Sequence, residues 1–222
     1  MCGRFIMVDR DEVKRIAADI ARDLADHAGE LETLDPIESF GPFLSQPQPP
    51  SGPDGRADAR PSSVVPLIAP TAHGAQLAVA DMAWGFDMPW TKGLVFNTRI
   101  ETALGKPDGV WGASLARRRC IVAAWAFYEP HASETVPSER TGRPVKRQYR
   151  FERRDGGPML LAGIHDKGRF SIVTTEPDDT VAPVHDRMPL TLESEDAALW
   201  LAGRHDELSG RPGASLIGLP ER

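Results

Sequence analysis

The sequence predicts a β-rich α+β domain, a barrel-like sheet with peripheral helices. Three observations lead there. Strand-like stretches outnumber helical ones. Turn signals separate those stretches at short intervals. The 222 residues include 20 Gly and 20 Pro, which makes the chain loop-rich. A hydrophobic content of 41% fills one sizeable core, so a single domain over residues 1–222 is expected.

Residues 4–8 are short and mostly apolar and read as a first strand. Asp9 is placed as a helix N-cap, with Glu12 three residues later completing a capping box. Val13, Ile16, Ala17, Ile20 and Leu24 recur at helical spacing, and Gly29 is a stop. Residues 42–61 are rich in Pro, Gly, Ser and Gln and read as a loop insertion. Strands are expected at 64–68, 76–84, 119–128 and 146–153. Segments 159–164 and 169–175 flank Asp166-Lys167-Gly168 and form a hairpin. Glu195 to Leu201 reads as a short helix. His-Asp pairs recur at 165, 185 and 205 without any surrounding repeat, so their spacing is coincidence.

The formal net charge of -6 excludes indiscriminate coating of nucleic acid but leaves room for a local basic groove. No apolar run is long enough to span a membrane, and no basic-plus-apolar leader is present. Two cysteines give no disulfide framework, so a cytoplasmic location is expected. There is no zinc spacing, P-loop, dinucleotide fingerprint or nucleophile elbow, and neither metal nor cofactor is expected.

Cys2 follows Met1 directly. Removing Met1 would leave an α-amine and a thiol on adjacent carbons. The amine can attack an aldehyde, and the thiol can then close a thiazolidine ring on the same carbon. Their unperturbed pKa values, about 7.7–8.0 and about 8.5, bring both within reach of neutral pH. Glu129 ends an apolar strand just before Pro130, at the mouth of the sheet, where partial burial fits it for proton transfer. His185 lies in a loop between Pro183 and Pro189 and titrates near neutrality. Asn97 can orient a neighbour from both ends of its amide. Arg4, Arg99 and Arg187 each sit close to one of these residues and suit phosphate oxygens. Cys120 lies inside an apolar strand and reads as a core residue.

Five stretches together carry a resemblance. They are Met1-Cys2-Gly3-Arg4-Phe5, Met82-Ala83-Trp84-Gly85-Phe86, Asn97-Thr98-Arg99-Ile100-Glu101-Thr102, Phe127-Tyr128-Glu129 and His185-Asp186-Arg187-Met188-Pro189. In this order, with Cys at position 2, the chain resembles the SRAP family of SOS-response-associated peptidases, or abasic-site processing proteins. The resemblance implies a monomeric partner of single-stranded DNA carrying abasic sites, whose open form is an aldehyde. It implies Cys2 as the nucleophile, Asn97 and Glu129 as the polar pair, and His185 as the proton-transfer residue. It places Arg4, Arg99 and Arg187 around the abasic pocket and Trp90 as an aromatic wedge. The family is also linked to autocatalytic removal of Met1, while a small second residue equally suits ordinary methionine removal, and both routes stay open. The chain departs from the family at Trp125, Ala126 and Pro130, which replace an acidic residue, a Gly and a Trp. An expected Asn-x-x-Pro run is not recognisable, and Ala59-Arg60-Pro61 stands in its place. Two rival readings remain at this level. One is an N-terminal-nucleophile, glutaminase-like hydrolase. The other is a non-catalytic single-stranded DNA binder.

Overall fold

The computed structural model describes residues 2–24, 35, 55–71, 76–208 and 213–221. The expected helix stop at Gly29 and residues 42–54 of the Pro-rich loop lie outside the described residues. In chain order the elements are β1 (Arg4–Met7), α1 (Arg10–Asp23), β2 (Asp58–Ala59), β3 (Val64–Pro70), β4 (Leu77–Trp84) and β5 (Asn97–Arg99). Next come α2 (Ile100–Gly105), α3 (Val110–Arg117), β6 (Arg119–Pro137), β7 (Pro144–Arg153), β8 (Met159–Asp166) and β9 (Arg169–Thr175). The chain ends with β10 (Met188–Pro189), β11 (Thr191–Leu192), α4 (Ser194–Ala202), a 3-10 turn (His205–Leu208) and β12 (Leu216–Pro220).

The barrel is closed by β6. Residues 119–124 of β6 pair with β8 on one edge, and 121–122 pair with β3 on the other. β8 pairs with β9, β9 runs parallel to β4, and β4 returns to β3. Five strands thus form a ring, as the barrel-like reading expects. Beyond the ring, β6 continues between β1 and β7, with β2 and β12 on the flanks.

Period-two alternation sorts the side chains. Val65, Leu67, Cys120, Val122 and Leu161 share one core with Trp84 and Phe170. Ile68, Ile121, Leu160, Ala162 and Ile164 share the other with the helices. Helix α1 buries Val13, Ala17 and Ile20 there. Asp9 caps it as expected, accepting from the N–H groups of Asp11 and Glu12 at 3.1 and 3.0 Å. Glu12 turns to Arg15 at 2.6 Å rather than back to the cap. Arg119 secures α3 and α4 to the barrel. Its buried guanidinium donates to the carbonyls of Leu115, Ala116 and Leu201 at 2.6–3.1 Å. Burial pushes it down to about 10.

Several expectations change. Strand β6 does not end at Glu129 but runs to Pro137, with Pro130 opposite Gln148. The missing Pro130 N–H is tolerated because the β6–β7 register shifts between Pro130 and Thr135. Helices α2 and α3 were not expected. Neither has a side-chain cap, and α3 starts after Gly109 and contains Gly112, so local signals are weak. The 166–169 hairpin forms as read, with Lys167 and Gly168 at φ 47° and 75°. Both signs suit the two-residue turn that matches strand twist.

The buried His165 on β8 makes stability pH-dependent. It is 4% exposed, and burial holds it down at about 4, below the usual 6.5. Arg118 also lowers it, while Asp35 raises it. The unfolded chain therefore takes up a proton first as pH falls, and stability drops between pH 6.5 and 4. From pH 7 to pH 5 this residue removes about 2 kcal/mol, read from urea midpoints. His165→Phe should flatten that part of the profile, and an unchanged profile would refute the assignment.

Candidate active site

The site is assembled around one irregularity in β6. Opposite β1, the partner of Ile6 is Ala126, but the partner of Met7 is Ala124. Trp125 is the extra residue of a bulge. Before it, Cys120, Val122 and Ala124 face the inner core; after it, Phe127 does. Ala126 and Tyr128 are turned to the opposite face with Ile6. Glu129, two residues on from Phe127, shares its inward face, the face where Cys2 is buried.

Cys2 is fully buried just before β1. The amide Nδ2 of Asn97, first residue of β5, donates to the Cys2 carbonyl at 2.7 Å. The Cys2 Sγ donates to the Arg4 carbonyl at 3.4 Å. Burial pushes the thiol well above its ordinary range, and the Glu129 carboxylate adds to this. Glu129 is itself fully buried, and burial raises it to about 7. The chain's amino-terminal charge pulls it back, and Asp186 raises it further.

His185 closes the cluster. Its Nε2 lies 3.8 Å from Glu129 Oε2. Its Nδ1 accepts from the Arg187 N–H at 3.0 Å. Burial lowers His185, as does the amino-terminal charge, while Asp186 raises it. A tight turn presents the ring. Asp178 accepts from the N–H groups of Thr180 and Val181, and the His185 N–H reaches the Val181 carbonyl at 3.0 Å. The same turn is tied to β6, since the Ala132 N–H donates to the Val184 carbonyl at 2.8 Å.

The structure therefore brings Cys2, Asn97, Glu129 and His185 together. It treats the arginines differently. Arg187 is buried, and its guanidinium meets both Glu101 oxygens at 2.9 Å and the Thr174 carbonyl at 2.9 Å. Arg4 lies on the outer face, 3.9 Å over the Tyr128 ring, held by Asp58 and Glu221 at 2.8 Å each. Both are occupied by carboxylates of the chain. Arg99 is exposed at the end of β5, and Trp90 is 64% exposed in the loop before it. The sequence reading assigned no role to Glu101, Asp58, Tyr128 or Glu221. Glu101 stands within the Asn97–Thr102 motif, which could have flagged it. Asp58 and Glu221 carry no local signal, because their role depends on long-range contacts with Arg4.

A model of the SOS response associated peptidase (SRAP) family matches residues 1–213. The chain belongs to the SRAP family. It is 26% identical to the abasic site processing protein YedK of Escherichia coli, over 97% of this chain and 85% of that protein. It is 28% identical to the abasic site processing protein YoqW of Bacillus subtilis, over 58% of this chain and 59% of that one. The match thus spans about three-fifths of that Bacillus relative. A protein of known structure from Bordetella bronchiseptica shares the fold at a TM-score of 0.63 and 22% identity, with both chains fully covered. This SRAP chain keeps the fold despite Trp125, Ala126 and Pro130, and two of those departures sit at the bulge.

Burial of Glu129 in this SRAP site costs stability once it ionises. Its folded value near 7 exceeds the usual 4.5, so the folded state holds its proton longer. Stability is therefore lost as pH rises from 4.5 through 7. Glu129→Gln should stabilise the protein by on the order of 3 kcal/mol at pH 8 and by less than about 1 kcal/mol at pH 5. Thermal melts at both pH values check this, and an equal effect at the two would refute it.

Proposed function

We propose that this SRAP protein traps abasic sites in single-stranded DNA through a covalent thiazolidine linkage to Cys2. The observation that carries the reading is the Cys2–Asn97–Glu129–His185 cluster at the chain's start. Its relatives' names supply the DNA context. The reaction requires Met1 to be gone, and the family name suits removal by the site itself.

The chemistry follows from the residue types. The abasic sugar opens to an aldehyde, with His185 delivering a proton to the ring oxygen. The Cys2 α-amine, held through its own residue's carbonyl by Asn97, adds to C1′. Glu129, poised near 7, takes the amine proton and returns it as water leaves to give the imine. The thiol then adds across the C=N bond, its sulfur bonding to C1′ and its proton passing to nitrogen. Ring closure removes the imine before β-elimination cuts the strand, so lyase cleavage is the side path. On this reading Trp90 and Arg99, both exposed, meet a base and a phosphate. Arg187 holds the His185 turn from within and Arg4 holds the start of β1 on the outer face, each with its charge met by carboxylates of the chain.

A denaturing gel tests this. Purified protein lacking Met1 should give a heat-stable adduct with abasic single-stranded DNA and none with intact DNA. Cys2→Ala should lose the adduct, and a tag ahead of Met1 should do the same. An adduct that survives Cys2→Ala would falsify the mechanism. Glutamine hydrolysis without adduct would favour the terminal-nucleophile hydrolase instead.

A further inference from the structure

We propose that the β6–β7 hairpin is a basic arm that grips the phosphate backbone of DNA flanking the abasic position. The inference rests on the DNA reading above.

Strand β6 continues eight residues past Glu129, from Pro130 to Pro137. Its far end pairs with β7, Thr135 opposite Lys146 and Pro137 opposite Pro144. The hairpin leaves the body: residues 132–135, 137 and 144–146 are exposed. It is nonetheless ordered. The Ser138 N–H donates to the Arg143 carbonyl at 2.8 Å, and the Gly142 N–H to the Ser138 carbonyl at 2.7 Å. Gly142 has φ 68°, which the tip turn requires.

Charge separates this arm from the rest. Residues 134–147 contain Arg140, Arg143, Lys146 and Arg147 against Glu134 and Glu139, in a chain of net charge -6. The cations divide by position. Near the root, Lys146 Nζ donates to the Ala132 carbonyl, and Arg147 lies 3.7 Å from Glu134. At the tip, Arg140 and Arg143 are exposed and form no ion pair with the described residues. An acidic body repels a polyanion, so affinity for phosphate must come from such local cations.

Position ties the arm to the site. It springs from Glu129 itself, and Ala132 at its root is bonded to Val184, beside His185. Eight residues at about 3.3 Å each reach roughly 26 Å. That spans about seven or eight stacked nucleotides at roughly 3.4 Å each. DNA seated with its abasic sugar at Cys2 would then meet Arg140 and Arg143 well outside the pocket.

The test uses labelled single-stranded DNA with a tetrahydrofuran site, which cannot open to an aldehyde, so that binding is read without crosslinking. Affinity is measured by anisotropy across a salt series. Arg140→Gln with Arg143→Gln should make the slope of log affinity against log salt shallower by about 1.4, since each single-strand phosphate contact contributes about 0.7. Binding at about 50 mM salt should weaken about tenfold or more. Arg140→Lys with Arg143→Lys should restore it. Arg15→Gln with Arg22→Gln, which removes equal charge from exposed positions on α1, should change nothing. Trimming the DNA to about two nucleotides on each side should erase the difference between wild type and the tip variant, because the arm then reaches past the strand. An unchanged slope, or an equal loss in the α1 variant, overturns the arm. Wild type that binds with the arm-dependent slope but forms no adduct on true abasic DNA leaves the arm standing and sinks the crosslinking reading.

Discussion

One extra residue in β6 sets the chemistry of this protein. A strand presents alternate side chains to opposite faces, so a one-residue slip exchanges the two sets. The bulge at Trp125 makes that exchange between Ala124 and Phe127. Without it, Tyr128 and Pro130 would point inward and Glu129 would face outward with Ile6. Trp125 is accommodated outside the ladder, where the Arg56 guanidinium lies 3.9 Å over its ring. A bulky aromatic is therefore accommodated at the bulge without undoing the phase change.

The inward turn of Glu129 has an electrostatic consequence. It is fully buried, and burial displaces both the carboxyl and the Cys2 thiol toward their neutral forms. That displacement suits the order of events in the proposed reaction. A thiol held neutral does not compete for the aldehyde while the amine attacks. A carboxyl near 7 can both take and return a proton at physiological pH. The same desolvation opposes ionisation of a group that the fold must nevertheless bury. The surrounding core, with Trp84, Phe127, Phe151 and Phe170 packed together, offsets that cost.

Much of the barrel was legible because its strands advertise themselves. β3, β4, β8 and β9 carry β-branched and apolar runs bounded by turn residues, and their limits shift by only a residue or two. The helices α2 and α3 were not, because they are short, uncapped and glycine-flanked, and tertiary packing rather than propensity forms them. The end of β6 was misplaced at Pro130. A proline usually closes a strand, but a register shift immediately beyond lets this one stay. Within the site, Cys2, Asn97, Glu129 and His185 could be named from residue type and motif order. Their convergence could not be read from one strand at a time. It depends on β5 lying parallel beside β9 and on the bulge in β6, both of which are long-range facts. The pairing of Arg4 with Asp58 and Glu221, residues from opposite ends of the chain, is hidden for the same reason.

The arginines then divide by what surrounds them. A guanidinium already bonded to two carboxylate oxygens at 2.9 Å, as in Arg187, must give up those partners before gripping a phosphate. Its better use is internal: it joins α2 to β9, and its backbone N–H holds the His185 ring. Arg99 and the hairpin tip are exposed, and no ion pair with the described residues holds them. A ligand held by outer cations and chemically processed by an inner, neutralised pocket meets each group where it is strongest. In the proposed reading, charge–charge attraction gathers the polyanion from a distance, and desolvation acts only on the single sugar that enters. β6 links these tasks physically, because one continuous strand closes the barrel, turns Glu129 inward and extends outward as the arm.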